Sequence, residues 1–385
     1  MAPSPPLPAP PHIEALLTKA SQVRSLLTHF YSALAQPPST ATPLPTPASP
    51  SPLALLRDTS SLLRTHTTKL SLLLLNTPFT PSAILPILKT CESECLPAML
   101  TAAELLGPQL YTSTVSTETR RCVETTFRAF GDLLNEIYLA TMGEAGNQAY
   151  MKGTKGVEHR REGVLSTTGR VWGACDALIA LEKNGLRSIL VGRVEELRGV
   201  IKDALGELKE WGEDEEDELE AEDKVTGSDD EDEDTKSLDD AFGAANRLPK
   251  GRPDVKVALG ETLRRIKLVD ILFQALVKRR IKTFPFEGVV EEDKVQEVSG
   301  RARAVDELLN ALSGIPDDID DLAAALYDLD AEDANTRLDK ICTKAQDAAS
   351  KVSRPWDGGK GDEYTAWLEK WKQVITPMES ADKTG

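Results

Sequence analysis

Apolar residues recur at steps of three and four along most of this chain, and β-branched runs are scarce. From Ile13 to Leu34 they fall at Ile13, Leu16, Leu17, Ala20, Val23, Leu26, Leu27, Phe30, Tyr31 and Leu34, which is one face of a helix. A Pro/Ser/Thr-rich stretch, Gln36 to Pro52, reads as an exposed linker loop, because repeated proline removes donors and blocks helix. The pattern predicts a second helix from about Leu53 to Leu75, ended by Thr77-Pro78 and Thr80-Pro81. Pro81 to Leu106 is helical in composition but broken by Pro86 and Pro97, so it is either two short helices or one kinked helix. A fourth helix over Thr117 to Met142 puts Val123, Phe127, Phe130, Leu134, Ile137 and Tyr138 on its buried side. After a Gly-rich loop, Gly143 to Gly156, a fifth carries Val164, Val171, Trp172, Cys175, Leu178 and Ile179.

The sixth helix has the most regular stripe. Leu190, Val194, Leu197, Ile201, Ala204, Leu208 and Trp211 alternate steps of four and three without a break, a coiled-coil-type seam. Such a stripe is expected in the core, with docking of a partner helix as the alternative. Gly192, Gly199 and Gly206 recur beside it every seven residues. Glycine in a helix interior costs about 1 kcal/mol relative to alanine, so either a neighbouring helix approaches closely or these are tolerated surface positions. Further on, helices are expected at Asp254 to Ile281, Glu291 to Leu312, Ile319 to Leu329, Ala331 to Val352 and Asp362 to Ile375. No repeat of solenoid length stands out.

Charge divides the chain further. Of the net −17, the segment Glu213 to Asp240 holds 17 Asp and Glu against two Lys, a local −15 that leaves about −2 for the other 357 residues. So low a hydrophobicity at so high a charge predicts disorder. The expected fold class is all-α, two packed helical bundles with a disordered acidic insert. The divisions are a disordered N-terminus (1–11), an N-terminal bundle (12–211, with the Pro-rich loop 36–52), the insert (212–250), a C-terminal bundle (251–376) and a disordered tail (377–385). Met1 to Pro11 lacks the basic and apolar regions of a signal peptide, and the longest apolar run, Leu72 to Leu75, is too short for a bilayer. No membrane span is expected.

Chemistry is sparse. The four histidines, His12, His29, His66 and His159, form no HExxH and pair with no cysteine at zinc spacing. Cys91 and Cys95 share a helical face without a second ligand pair, and the five cysteines are read as reduced thiols. Gly146 to Lys152 lacks the glycine before lysine that a phosphate loop needs. No catalytic residue, metal or cofactor is expected, and the chain is read as not an enzyme. The basic turn Lys278-Arg279-Arg280-Ile281-Lys282 closes a helix, where cations complement the dipole. Nuclear import or pairing with the acidic insert is its functional reading. Ser228 and Ser237, each with an acid three residues on, are candidate phosphorylation sites for an acidophilic kinase. The insert is otherwise a solvated linker. The near-neutral remainder offers no basic surface for direct DNA binding.

Several stretches carry a family likeness: Val171-Trp172-Gly173-Ala174-Cys175 before the seam, Leu263-Arg264-Arg265-Ile266-Lys267, and Asp320-Asp321-Leu322-Ala323-Ala324-Ala325-Leu326-Tyr327. The span from Leu105 to Leu134 and the Trp367 to Ile375 end agree in position and pattern. Read end to end, the chain resembles the cyclin-D-binding protein family (GCIP, Id-like helix-loop-helix interacting proteins). The Pro-rich linker and the density of acids depart from that pattern. The resemblance implies an all-α protein that binds a cyclin or a helix-loop-helix transcription factor, restrains cell-cycle progression and transcription, and occurs in cytoplasm and nucleus. A helical-bundle scaffold or adaptor of the cytoskeletal or trafficking type is the alternative. The sequence leaves the partner-binding residues unknown.

Overall fold

The computed structural model describes residues 11–37, 51–144, 154–213, 248–249, 251–286 and 290–376. The expectations for the N-terminus, most of the Pro-rich and Gly-rich loops, the acidic insert with Ser228 and Ser237, and the tail lie outside these residues. Regular structure among the described residues is helical throughout, without a strand. In chain order the helices are α1 (Pro11–Ala35), α2 (Pro52–Leu75), α3 (Pro81–Thr90), α4 (Leu96–Leu105), α5 (Pro108–Tyr111), α6 (Ser113–Glu144), α7 (Thr154–Asn184) and α8 (Arg187–Glu213). Then follow α9 (Pro253–Leu276), α10 (Val295–Ser313), α11 (Ile315–Tyr327), α12 (Ala331–Lys351) and α13 (Glu363–Ile375). The all-α class is as expected.

Local chemistry sets the boundaries. Proline sits in the first turn of α2, where its missing N–H is no loss, and Ser51 Oγ accepts from Ala54 N. Asp362 and Thr365 close a reciprocal capping box at the start of α13. Between α3 and α4 the chain runs on through a π-helical turn, Cys91–Cys95, so the Pro81–Leu106 region is one irregular helix rather than two. Pro97 offers no N–H, and the Leu96 N–H donates five residues back to the Cys91 carbonyl.

The chain forms two compact units. The first comprises residues 1–189 and 286–302, the second 190–285 and 303–385. In the first unit α7 packs on α2 and α6, α6 on α1, and α4 on both α2 and α6. Ion pairs set the directions: Arg57 to Glu182 and Arg64 to Asp176 run α2 against α7, and Arg170 to Asp132 runs α7 against α6. Leu16, Leu27, Leu56, Leu63, Phe127 and Phe130 fill the core. Tyr138 does not join them. It is 36% exposed beneath the Arg24 guanidinium, on the rim of the α6 stripe rather than at its centre. Arg120, itself buried, closes the end of α1 by donating to the carbonyls of Ala33, Leu34 and Gln36 at 2.6, 3.2 and 3.0 Å.

The second unit holds the seam. All seven stripe residues of α8, from Leu190 to Trp211, are buried. Arg198 pairs with Asp270 at 2.7 Å, running α8 against α9, and the Trp211 and Tyr327 rings meet edge to face at 5.2 Å. Packing therefore divides the chain at Ile189, Pro285 and Ala302, where the sequence division fell at the acidic insert. The three regularly spaced glycines resolve the other way from close approach: a Cβ on Gly192, Gly199 or Gly206 would meet nothing within 4 Å. They are surface positions. In the same unit α12 packs on α9 and α11, and α13 lies against α9.

Candidate functional site

The basic turn Lys278 to Lys282 is where the sequence placed the densest cationic signal. The apolar stripe of α9 continues past its end through Leu276 and Val277 to Ile281, and Arg280 falls in register with it. The turn is π-helical, with the Lys282 N–H donating to the Val277 carbonyl, and this carries Arg280 inward to 2% exposure. A buried guanidinium needs every donor satisfied. Arg280 Nε donates to the Val352 carbonyl at 2.6 Å, Nη1 to the Arg279 carbonyl and Asp362 Oδ2, and Nη2 to the Ser353 carbonyl and Asp362 Oδ1. Its Cζ lies 4.2 Å from the Tyr364 ring centre, and the Trp356 indole N–H donates back to the Arg280 carbonyl. The guanidinium holds the Asp362 carboxyl far below the usual carboxylate range.

Only part of the cluster is therefore presented to solvent. Arg280 is internal, and Arg279 pairs with Glu363 at 3.5 Å. Lys278 and Lys282 alone remain exposed.

Cys91 and Cys95 are both buried, and neither is in a disulfide. A hydrogen bond between the two thiols, then burial, pushes Cys91 up, and the same bond draws Cys95 down. Burial pushes Cys175, on α7, up to about 12. These thiols are buried core groups. Among the described residues no cluster of three or more His, Cys, Asp or Glu is placed to hold a metal ion.

The family-like stretches divide between core and surface. In Val171–Cys175, Val171 and Cys175 are buried while the Trp172 ring lies under Arg64, 5.4 Å from its guanidinium carbon. In Leu263–Lys267 the unexpected feature is Arg265, buried and paired with Asp339 at 2.7 Å. In Asp320–Tyr327 the leucines are buried and Tyr327 is 40% exposed. An open groove of about 600 Å³ lies between Ala311 of α10 and the α12 residues Thr336, Asp339, Lys340, Thr343 and Lys344. Two of its four ionisable residues are committed to neighbours, Asp339 to Arg265 and Lys344 to Asp318. No helix among the described residues is long and apolar enough to cross a membrane.

The fold defines a helical-bundle protein in which several ion pairs, Arg198–Asp270, Arg265–Asp339 and Arg280–Asp362 among them, join one helix to another. Residues 55–214, from α2 to just past the end of the seam helix, match the family described as Grap2 and cyclin-D-interacting, N-terminal. The chain therefore resembles that family over this segment, which contains Val171–Cys175 and the Leu105–Leu134 span. The stretches at Leu263, Asp320 and Trp367 lie beyond it. An uncharacterised protein of the fission yeast Schizosaccharomyces pombe is 22% identical over 332 residues, covering 85% of this chain and 85% of its own length. No solved structure matches.

Proposed function

We propose that the protein is a non-enzymatic regulator that acts through protein–protein contacts. Its partner is a D-type cyclin, the kind of protein in the matched family's description, or a helix-loop-helix transcription factor, as the sequence resemblance implies, and binding restrains cell-cycle progression and transcription. It works in cytoplasm and nucleus without contacting DNA itself. The observation that carries this reading is the family match over 55–214, a segment that includes the whole seam helix. The burial of the seam further implies that a partner meets the outside of the bundle rather than inserting into it.

The direct test is isothermal titration of the full-length chain with a purified D-type cyclin, and separately with a helix-loop-helix domain. Saturable binding to either supports the proposal. Binding to neither, together with cosedimentation on actin filaments or liposomes, would replace it with the scaffold reading.

A further inference from the structure

One face of the second unit combines exposed basic and aliphatic residues. Along α9 and its π-helical end, Val257, Gly260, Arg264, Lys267, Ile271, Gln274 and Lys278 follow one another at steps of three and four, and all seven are exposed. No acid stands among them. Arg264 is paired with Glu261, whereas Lys267, Lys278 and the nearby Lys282 have no ion-pair partner among the described residues. Of the three acids of α9, Asp254 is taken up by Arg252 and Asp270 by Arg198, while Glu261 lies beside the stripe, paired with its Arg264.

Helix α13 runs antiparallel beside this stripe. Arg264 donates to the Val374 carbonyl, the Trp371 indole N–H donates to the Leu268 carbonyl, and Arg279 pairs with Glu363. Between the last two rungs lie Ile271 of α9 and Trp367 of α13, the latter half-buried in a stack with Tyr364 and Trp371. The exposed apolar side chains are Val257 at 74%, Ile271 at 37% and Val374 at 53%. Basic groups alternating with aliphatic ones at helical spacing match a helix of the opposite charge.

We propose that this α9–α13 face docks an acidic amphipathic helix of a partner protein, its apolar side on Val257, Ile271 and Val374 and its carboxylates against Lys267, Lys278 and Lys282. The exposed apolar residues favour that occupant over a polyanion such as nucleic acid. They also favour it over the acidic run Glu213 to Asp240, whose bulky apolar residues are only Leu219, Val225 and Leu238. This surface deepens the protein-binding reading and lies outside residues 55–214, so its loss would leave the family-based proposal to its own titration.

The test is fluorescence anisotropy of the full-length chain with a labelled 21-residue helical peptide, leucine on one face and glutamate on the other. A scrambled peptide and a duplex DNA of similar charge serve as controls. The expected result is saturable binding of the helical peptide alone, weakened at least about tenfold by Lys267→Glu with Lys278→Glu and by Ile271→Glu, and weakened by salt. Unchanged circular dichroism would show that these surface variants fold. Equal binding by wild type and variants would overturn the proposal, as would equal binding of scrambled peptide or DNA. Peptide binding that emerges only after Glu213 to Asp240 is replaced by a Gly/Ser linker would assign the face to the chain's own insert and overturn it too.

Discussion

Arg280 grips Asp362 through two charge-assisted hydrogen bonds of 2.7 and 2.9 Å, joining the end of α9 to the N-cap of α13 across 82 residues. Three further donations from the same guanidinium hold backbone carbonyls, so its five N–H groups are all engaged. Removing one partner of a buried pair leaves the remaining groups without compensation. Arg280→Ala should therefore lower unfolding free energy by about 3–5 kcal/mol in urea titrations. Asp362→Asn should cost less, because Asp362 is 35% exposed and partly screened. An Arg280→Ala protein as stable as wild type would remove this clasp from the account.

The same pair predicts a pH dependence. The folded-state pKa of Asp362 is depressed, so its contribution is fully present above the unfolded value near 4 and fades as pH falls toward the folded value. The stability gap between wild type and Asp362→Asn should stay constant from about pH 7 to 5 and narrow below about pH 4. Denaturation midpoints for both proteins across that range check this. A gap that widens in acid would mean the carboxylate gains little from Arg280.

The α8 seam makes a separate demand. Ile201 is fully buried and Leu197 nearly so. Truncating either to alanine should cost roughly 2–5 kcal/mol, through lost burial and the cavity left behind. Thermal or chemical denaturation measures it directly. Wild-type stability in both mutants would return the stripe to the role of a docking face.

Thiol reactivity offers a check that needs no mutation. Cys91, Cys95, Cys175 and Cys342 are buried, and burial holds Cys342 at about 11 and Cys175 at about 12. Cys122 is half-buried and also raised to about 11. Native protein at pH 8 should react slowly with a disulfide reagent, and then at Cys122 alone. All five thiols should react once urea unfolds it. Rapid labelling of Cys91 or Cys95 in the native state would show that the Cys91–Cys95 turn opens.

What the sequence revealed follows from which forces are periodic. Apolar spacing located nearly every long helix, and the unbroken stripe of α8 went to the core, because burial repeats with the helix. Arg265 and Arg280 escape a reading of the sequence because charge alone points to the surface. Both sit in register with the apolar stripe of α9, three or four residues from Thr262, Val269, Leu276 and Val277. That register was the available signal. Their acids, Asp339 and Asp362, lie 74 and 82 residues away, a pairing that local pattern does not contain. The regular spacing of the α8 glycines allows both close approach and open surface, and only the packing decides for the surface. The α9–α13 face was hidden for the same reason as the pairs: it needs two helices set side by side.

The central claim is that this chain works by holding another protein. The measurement closest to it is affinity purification of the tagged full-length chain at native abundance, with partners quantified by mass spectrometry after chemical cross-linking. The account predicts a protein partner recovered at near-equal molar amount, cross-linked to lysines on the outside of the bundles and not to the α8 seam. Recovery of the chain alone, with no cross-linked partner, would contradict it.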